Sequence, residues 1–121
     1  MKKIAFILIA CCCLSAIAAA QKKPLLNNYD EVVARAKVEL DSMTQTGTPF
    51  QVEAARRGLQ GEYVMDITIH EKGQIQSVFM VNSNADNAAM QNKVKDYIRT
   101  IVFGFKVPRG TSFKFRYTFL F

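Results

Sequence analysis

The sequence predicts an α+β domain: a three-stranded antiparallel or mixed sheet with helices on one face (a ββαβ core), preceded by an N-terminal amphipathic helix. Three observations carry this. Tyr63, Met65, Ile67 and Ile69 alternate with Val64, Asp66, Thr68 and His70, the period of a half-buried strand. Phe113, Phe115, Tyr117, Phe119 and Phe121 alternate with Lys114, Arg116, Thr118 and Leu120 in the same way. Residues 29–43 and 86–103 instead repeat their apolar side chains at helical spacing.

The chain has 121 residues, room for one small domain and none for a multidomain enzyme. Residues 1–20 read as a secretory signal: Lys2 and Lys3, an apolar run from residue 4 to 17, then Ala18, Ala19 and Ala20. Cleavage after Ala20 removes two of the sixteen basic residues and leaves fourteen against ten acids, +4. Cys11, Cys12 and Cys13 leave with the signal, so the exported domain has no disulfide framework, cysteine nucleophile or thiolate metal site. Lipidation at Cys11 is the alternative, since residues 8–11 form an apolar-small-Cys pattern; it leaves a short apolar region, which favours cleavage. A retained membrane anchor is disfavoured, because a run shorter than ~18 residues does not span a bilayer comfortably. Export places the chain in the periplasm, bound to membrane only if lipidated or left with its signal.

Residues 21–28 form a polar tail. In the first helix, 29–43, Tyr29, Val32, Val33, Ala36, Leu40 and Met43 make the apolar stripe, and Asn28 or Asp30 caps its start. Residues 44–49 break the chain, and residues 53–58 allow a turn or two of helix stopped by Gly58. The strand at 63–70 turns at Glu71, Lys72 and Gly73 into a second strand at 74–81, a hairpin. In the helix at 86–103, Met90, Val94, Tyr97, Ile98 and Ile101 share one arc, and Gly104 stops it. Residues 108–110 are a turn before the terminal strand. The second and third strands, joined through a helix, run parallel; if the first strand lies between them, the terminal strand is an edge.

The chemistry inventory argues against catalysis. The single histidine, His70, cannot build a three-ligand zinc site, and beside the hairpin turn it reads as a solvated side chain. Asp66 and His70 share a strand face, but that face is the polar, outward one. Gly58 and Gly61 precede a strand rather than a helix, so they form no phosphate loop. No metal or cofactor is expected. Lys114 and Arg116 point away from the aromatic row, which argues against a base-stacking platform and a nucleic-acid partner.

Taken in order, the motifs resemble the TonB C-terminal domain family, including relatives associated with gliding motility. The resemblance runs over residues 50–121. It rests on Phe50, the run Ala54, Ala55, Arg56, Arg57 and Gly58, then Gly61, and the hairpin Glu71, Lys72 and Gly73 followed by Gln74 and Ile75. Asn82 and Ser83, the exit Phe105 to Pro108, and the ending Arg116, Tyr117, Thr118, Phe119, Leu120 and Phe121 complete it. The chain departs from the pattern in three ways: Gln51 stands where the family has proline after the aromatic, only three prolines occur, and the eight-residue tail reaches about 26 Å at most, too short for a periplasm-spanning tether.

The resemblance implies a periplasmic module whose terminal strand accepts an extended peptide from an outer-membrane transporter or envelope complex as an added strand. Transferred here, the docking residues are Phe113, Lys114, Phe115, Arg116, Tyr117, Thr118, Phe119 and Leu120. The alternative is a homodimeric structural subunit of the envelope that pairs the same edge with a second copy, or an edge covered by the helix at 29–43.

Overall fold

The computed structural model describes residues 23–84 and 87–121. The signal, Cys11 and the expected start of the third helix at Asp86 lie outside them. Helix α1 spans Tyr29–Met43, α2 Pro49–Arg56 and α3 Ala88–Ile98; strands β1, β2 and β3 span Glu62–His70, Gln74–Ser83 and Ser112–Leu120. The three strands form one open sheet in the order β2-β1-β3, with β1 antiparallel to both neighbours. The chain is therefore α+β with a three-stranded sheet, and the sheet is antiparallel throughout.

Alternation in β1 fixes the two faces. Tyr63, Met65, Ile67 and Ile69 are fully buried, while Val64, Asp66, Thr68 and His70 are only half-buried on the other face. In register with Ile67 stand Val78 on β2 and Phe115 on β3, both inside the core. Val32, Ala36 and Leu40 of α1, Ala54 of α2 and Val94, Tyr97 and Ile98 of α3 complete that core. Helix α1 packs against β3 and α3 against β2. Among the described residues all the buried side chains are apolar or aromatic, and the Tyr63 hydroxyl, the polar end of one of them, donates to the Gln60 carbonyl.

Local chemistry sets the helix starts. Asn28 caps α1 by accepting from the Asp30 and Glu31 amides (2.9 and 3.3 Å). Helix α2 begins earlier than its expected turn at 53–58. Thr48 is its N-cap and Pro49 fits the first turn, where a missing N–H costs nothing. Phe50 thereby sits on a helix, stacked on the Tyr97 ring (4.8 Å between centroids) and accepting the Tyr97 hydroxyl at its carbonyl (2.7 Å).

The third helix is shorter than the 86–103 pattern. It ends at Ile98, and the Thr100 hydroxyl donates to the Tyr97 carbonyl (2.6 Å). Beyond it, buried Ile101, Phe103, Phe105 and Val107 alternate with exposed Val102, Gly104 and Lys106, the period of extended chain. The Phe103 and Val107 amides donate to the carbonyls of Gly73 and Glu71 (2.8 and 2.7 Å), so this segment clasps the β1–β2 hairpin tip. Gly104 is not a helix terminator: its amide donates to the Glu39 carboxylate (2.7 Å).

Candidate interaction edge

Strand β3 lies at the edge of the sheet. It pairs with β1 without a register break from Glu62↔Leu120 to His70↔Ser112. The other edge strand, β2, carries two register shifts against β1, between Val64 and Met65 and between Thr68 and Ile69. Bulges of this kind twist an edge and hinder further pairing. The sheet thus has one blunted edge and one continuous edge.

The Gly61 and Phe121 main chains exchange both hydrogen bonds (3.3 and 3.0 Å). Antiparallel alternation then turns the N–H and C=O groups of Phe113, Phe115, Tyr117 and Phe119 toward β1, and those of Lys114, Arg116, Thr118 and Leu120 outward. Two side chains occupy the ends of this outer flank. The Tyr29 hydroxyl donates to the Lys114 carbonyl (3.0 Å), and the Gln51 amide nitrogen donates to the Leu120 carbonyl (3.2 Å). Between them, Arg116 and Thr118 keep their outward main-chain groups free of any main-chain partner among the described residues.

The side chains follow the same alternation. Phe115 and Phe119 are buried, Phe113 and Tyr117 are half-buried on the helix side, and Lys114, Arg116, Thr118 and Leu120 are exposed. Helix α1 holds the strand from inside: the Tyr117 hydroxyl donates to the Asp41 carboxylate (2.6 Å), and the Tyr29 ring lies 6.4 Å from that of Phe113. Burial, then the bond to Asp41, raises the Tyr117 pKa. On the open face Arg116 donates to Asp66 of β1 (2.9 Å), so Asp66 is engaged across the sheet by Arg116.

Alongside the free window runs an open groove of about 680 Å³, lined by Thr44, Thr46, Gly47, Gln51, Val52, Ala55, Thr118, Leu120 and Phe121. Val52 is 59% exposed and Leu120 67%. The edge therefore offers main-chain hydrogen-bonding groups next to an apolar wall. Sequence reasoning found the strand but not the groove, whose other side is α2 and the α1–α2 turn, nor the two flanking side chains. Gln51 had one signal, its departure from an expected proline: a proline has no amide side chain to reach Thr44 (2.8 Å) and Leu120.

Among the described residues no three histidine, cysteine, aspartate or glutamate side chains gather as a metal site. No described helix is long and apolar enough to cross a membrane. Comparison of the chain with protein-family models, with curated proteins and with solved structures finds no match.

Proposed function

We propose that the chain is an exported, non-catalytic, TonB-like interaction module of the periplasm that takes an extended segment of an envelope or outer-membrane transport partner as a fourth strand against β3. The observation that carries this reading is the outer flank of β3 at Arg116 and Thr118, which has no main-chain partner among the described residues between the Tyr29 and Gln51 contacts. The succession of two strands, a helix and a third strand, with α1 packed in front, supports the TonB-like plan that the motifs suggest. The window supplies up to four main-chain hydrogen bonds. At about 0.5–1.5 kcal/mol each, they support weak, reversible docking, to which apolar contact in the groove adds.

Two variants test the reading. Thr118→Pro removes an outward N–H while leaving the bonds to β1, which come from the odd-numbered residues. Val52→Glu puts a charge on the apolar wall of the groove. In a titration with peptides from periplasm-facing segments of outer-membrane transporters, the amides of Lys114 to Leu120 are expected to shift. Each variant is expected to weaken binding at least tenfold, about 1.4 kcal/mol, with the circular-dichroism spectrum unchanged. A concentration-dependent dimer whose formation Thr118→Pro abolishes, with no peptide-induced shift, selects the homodimeric alternative instead.

A further inference from the structure

The end of the sheet opposite the docking window carries an unbalanced charge. Residues 23–121 contain thirteen lysines and arginines and ten acids. Four of those bases, Lys23, Lys72, Lys106 and Arg109, gather at the hairpin tip with one acid of its own, Glu71; over the rest of the segment nine bases face nine acids. The gathering is held by hydrogen bonds to main-chain carbonyls. The Lys23 ammonium donates to the Lys72 carbonyl (3.1 Å), the Lys106 amide to the Pro24 carbonyl (2.9 Å) and the Val107 amide to the Glu71 carbonyl (2.7 Å). The turn carrying Arg109 is beside them, since Gly110 and Thr111 line a small cleft with His70 and Glu71.

All four cations are exposed, and among the described residues none is in an ion pair; Lys37, Lys93, Lys95 and Lys114 are also in none but are spread over α1, α3 and β3, whereas Arg35, Arg56, Arg57, Arg99 and Arg116 each hold a carboxylate. Glu39, which accepts the Gly104 amide of the same segment, is itself paired with Arg35 (3.2 Å). Two large aliphatic side chains stand on the same ribbon: Leu25, bridged to Lys106 and 56% exposed, and Val102, bridged to Gln74 and 54% exposed. Exposed cations interleaved with exposed aliphatics suit the headgroup and acyl boundary of an anionic bilayer, where the charges meet phosphates and the aliphatics enter the interface.

We propose that this basic pole is a docking surface for anionic phospholipid. Docked this way, the domain keeps its β3 window off the membrane, because Thr118 is six residues, about 20 Å, along the strand from Ser112 at the pole. The proposal is independent of what β3 binds.

Sedimentation of the full chain with phosphatidylcholine vesicles, and with vesicles in which part of that lipid is replaced by phosphatidylglycerol, tests it. The readout is the increment on adding anionic lipid, compared between variants that share the same apolar N-terminal run and its Lys2 and Lys3. A basic residue at an anionic surface is worth about fivefold in partition, so Lys72→Glu with Arg109→Glu is expected to cut the increment at least about 25-fold. Leu25→Ser with Val102→Ser is expected to reduce it severalfold. Lys93→Glu with Lys95→Glu, the same change of net charge on α3, is expected to leave most of it. Equal loss from the α3 pair overturns the proposal in favour of a net-charge effect. Absence of any increment overturns it outright, and so does equal binding of soluble polyglutamate, which assigns the pole to acidic protein.

Discussion

Arg116 on β3 reaches across the sheet to Asp66 on β1, with Nε 2.9 Å from Oδ1 and Nη2 3.4 Å from Oδ2. The two residues are direct cross-strand partners on the open face. The bond from Arg116, then the charges of Arg116 and Lys114, hold the Asp66 pKa below its ordinary value against an opposing effect of burial. Glu53 on α2 is lowered to about 2 by hydrogen bonds from Arg56 and Arg57. A carboxyl whose folded pKa is depressed stabilises the fold above its unfolded pKa, and that contribution disappears as pH falls through the folded value. Melting temperature is therefore expected to stay level from about pH 7 to 5 and to fall between about pH 4 and 2. Asp66→Asn with Glu53→Gln is expected to lower the melting temperature at neutral pH and to make the acid limb shallower. Thermal melts across that range check it, and an unchanged acid limb would assign the transition to other carboxyls.

Gly73 is expected to be the least replaceable glycine. Its φ is +80°, and a Cβ there meets the Phe103 carbonyl oxygen at 2.8 Å and the Phe105 carbonyl oxygen closer still. Both obstacles are main chain of the clasp at 102–107, which cannot retreat without losing its bond to the hairpin. Gly47 has a similar φ of +85° but open space around it. Gly73→Ala is expected to cost more than about 3 kcal/mol and Gly47→Ala about 1–2 kcal/mol, the left-handed penalty alone. Chemical denaturation of the two variants measures the difference, and equal costs would mean that the clasp yields.

The strands were legible in the sequence because side-chain alternation is a local property. Tyr63 to Ile69 and Phe113 to Phe119 show it without knowledge of their partners. The end of α3 was not legible for the converse reason. Ile98, Ile101 and Phe105 fit a helical arc, while Phe103, Phe105 and Val107 also fit a strand. The choice is made by a distant partner, the Gly73 and Glu71 carbonyls that receive the clasp amides. Likewise α2 starts at Pro49, read from sequence as part of a break, because Thr48 in front of it accepts the Gln51 amide. At the edge, the strand was visible, but the Tyr29 and Gln51 contacts that delimit its free window depend on how α1 and α2 pack.

Ile101 tests that packing separately from helix propensity. It is 5% exposed and lies just beyond α3. Ile101→Ala is expected to cost about 2–5 kcal/mol through the lost methyl groups and the space they leave. Lys95→Ala, on α3 itself, is expected to stay within about 0.5 kcal/mol. Chevron or equilibrium denaturation distinguishes them, and similar midpoints would show that the turn after α3 repacks around the smaller side chain.

Alkaline pH provides the last test, through the tyrosines. Burial is the first cause of a raised pKa at Tyr63, Tyr97 and Tyr117, opposed at Tyr97 by the charge of Arg57 and reinforced at Tyr117 by the Asp41 bond. A raised folded pKa means that the folded state holds its phenolic protons more tightly. The associated stability is complete below the unfolded tyrosine pKa of about 10 and is lost as pH rises through the folded values. Phenolate absorbance of these residues is therefore expected to appear together with loss of the circular-dichroism signal above about pH 10. Tyr97→Phe removes one such group and also the hydroxyl that the Phe50 carbonyl accepts. It is expected to cost about 1 kcal/mol at neutral pH and to reduce the phenolate change at the transition. Phenolate formation for all three residues well before unfolding would show that their hydroxyls reach water in the folded protein.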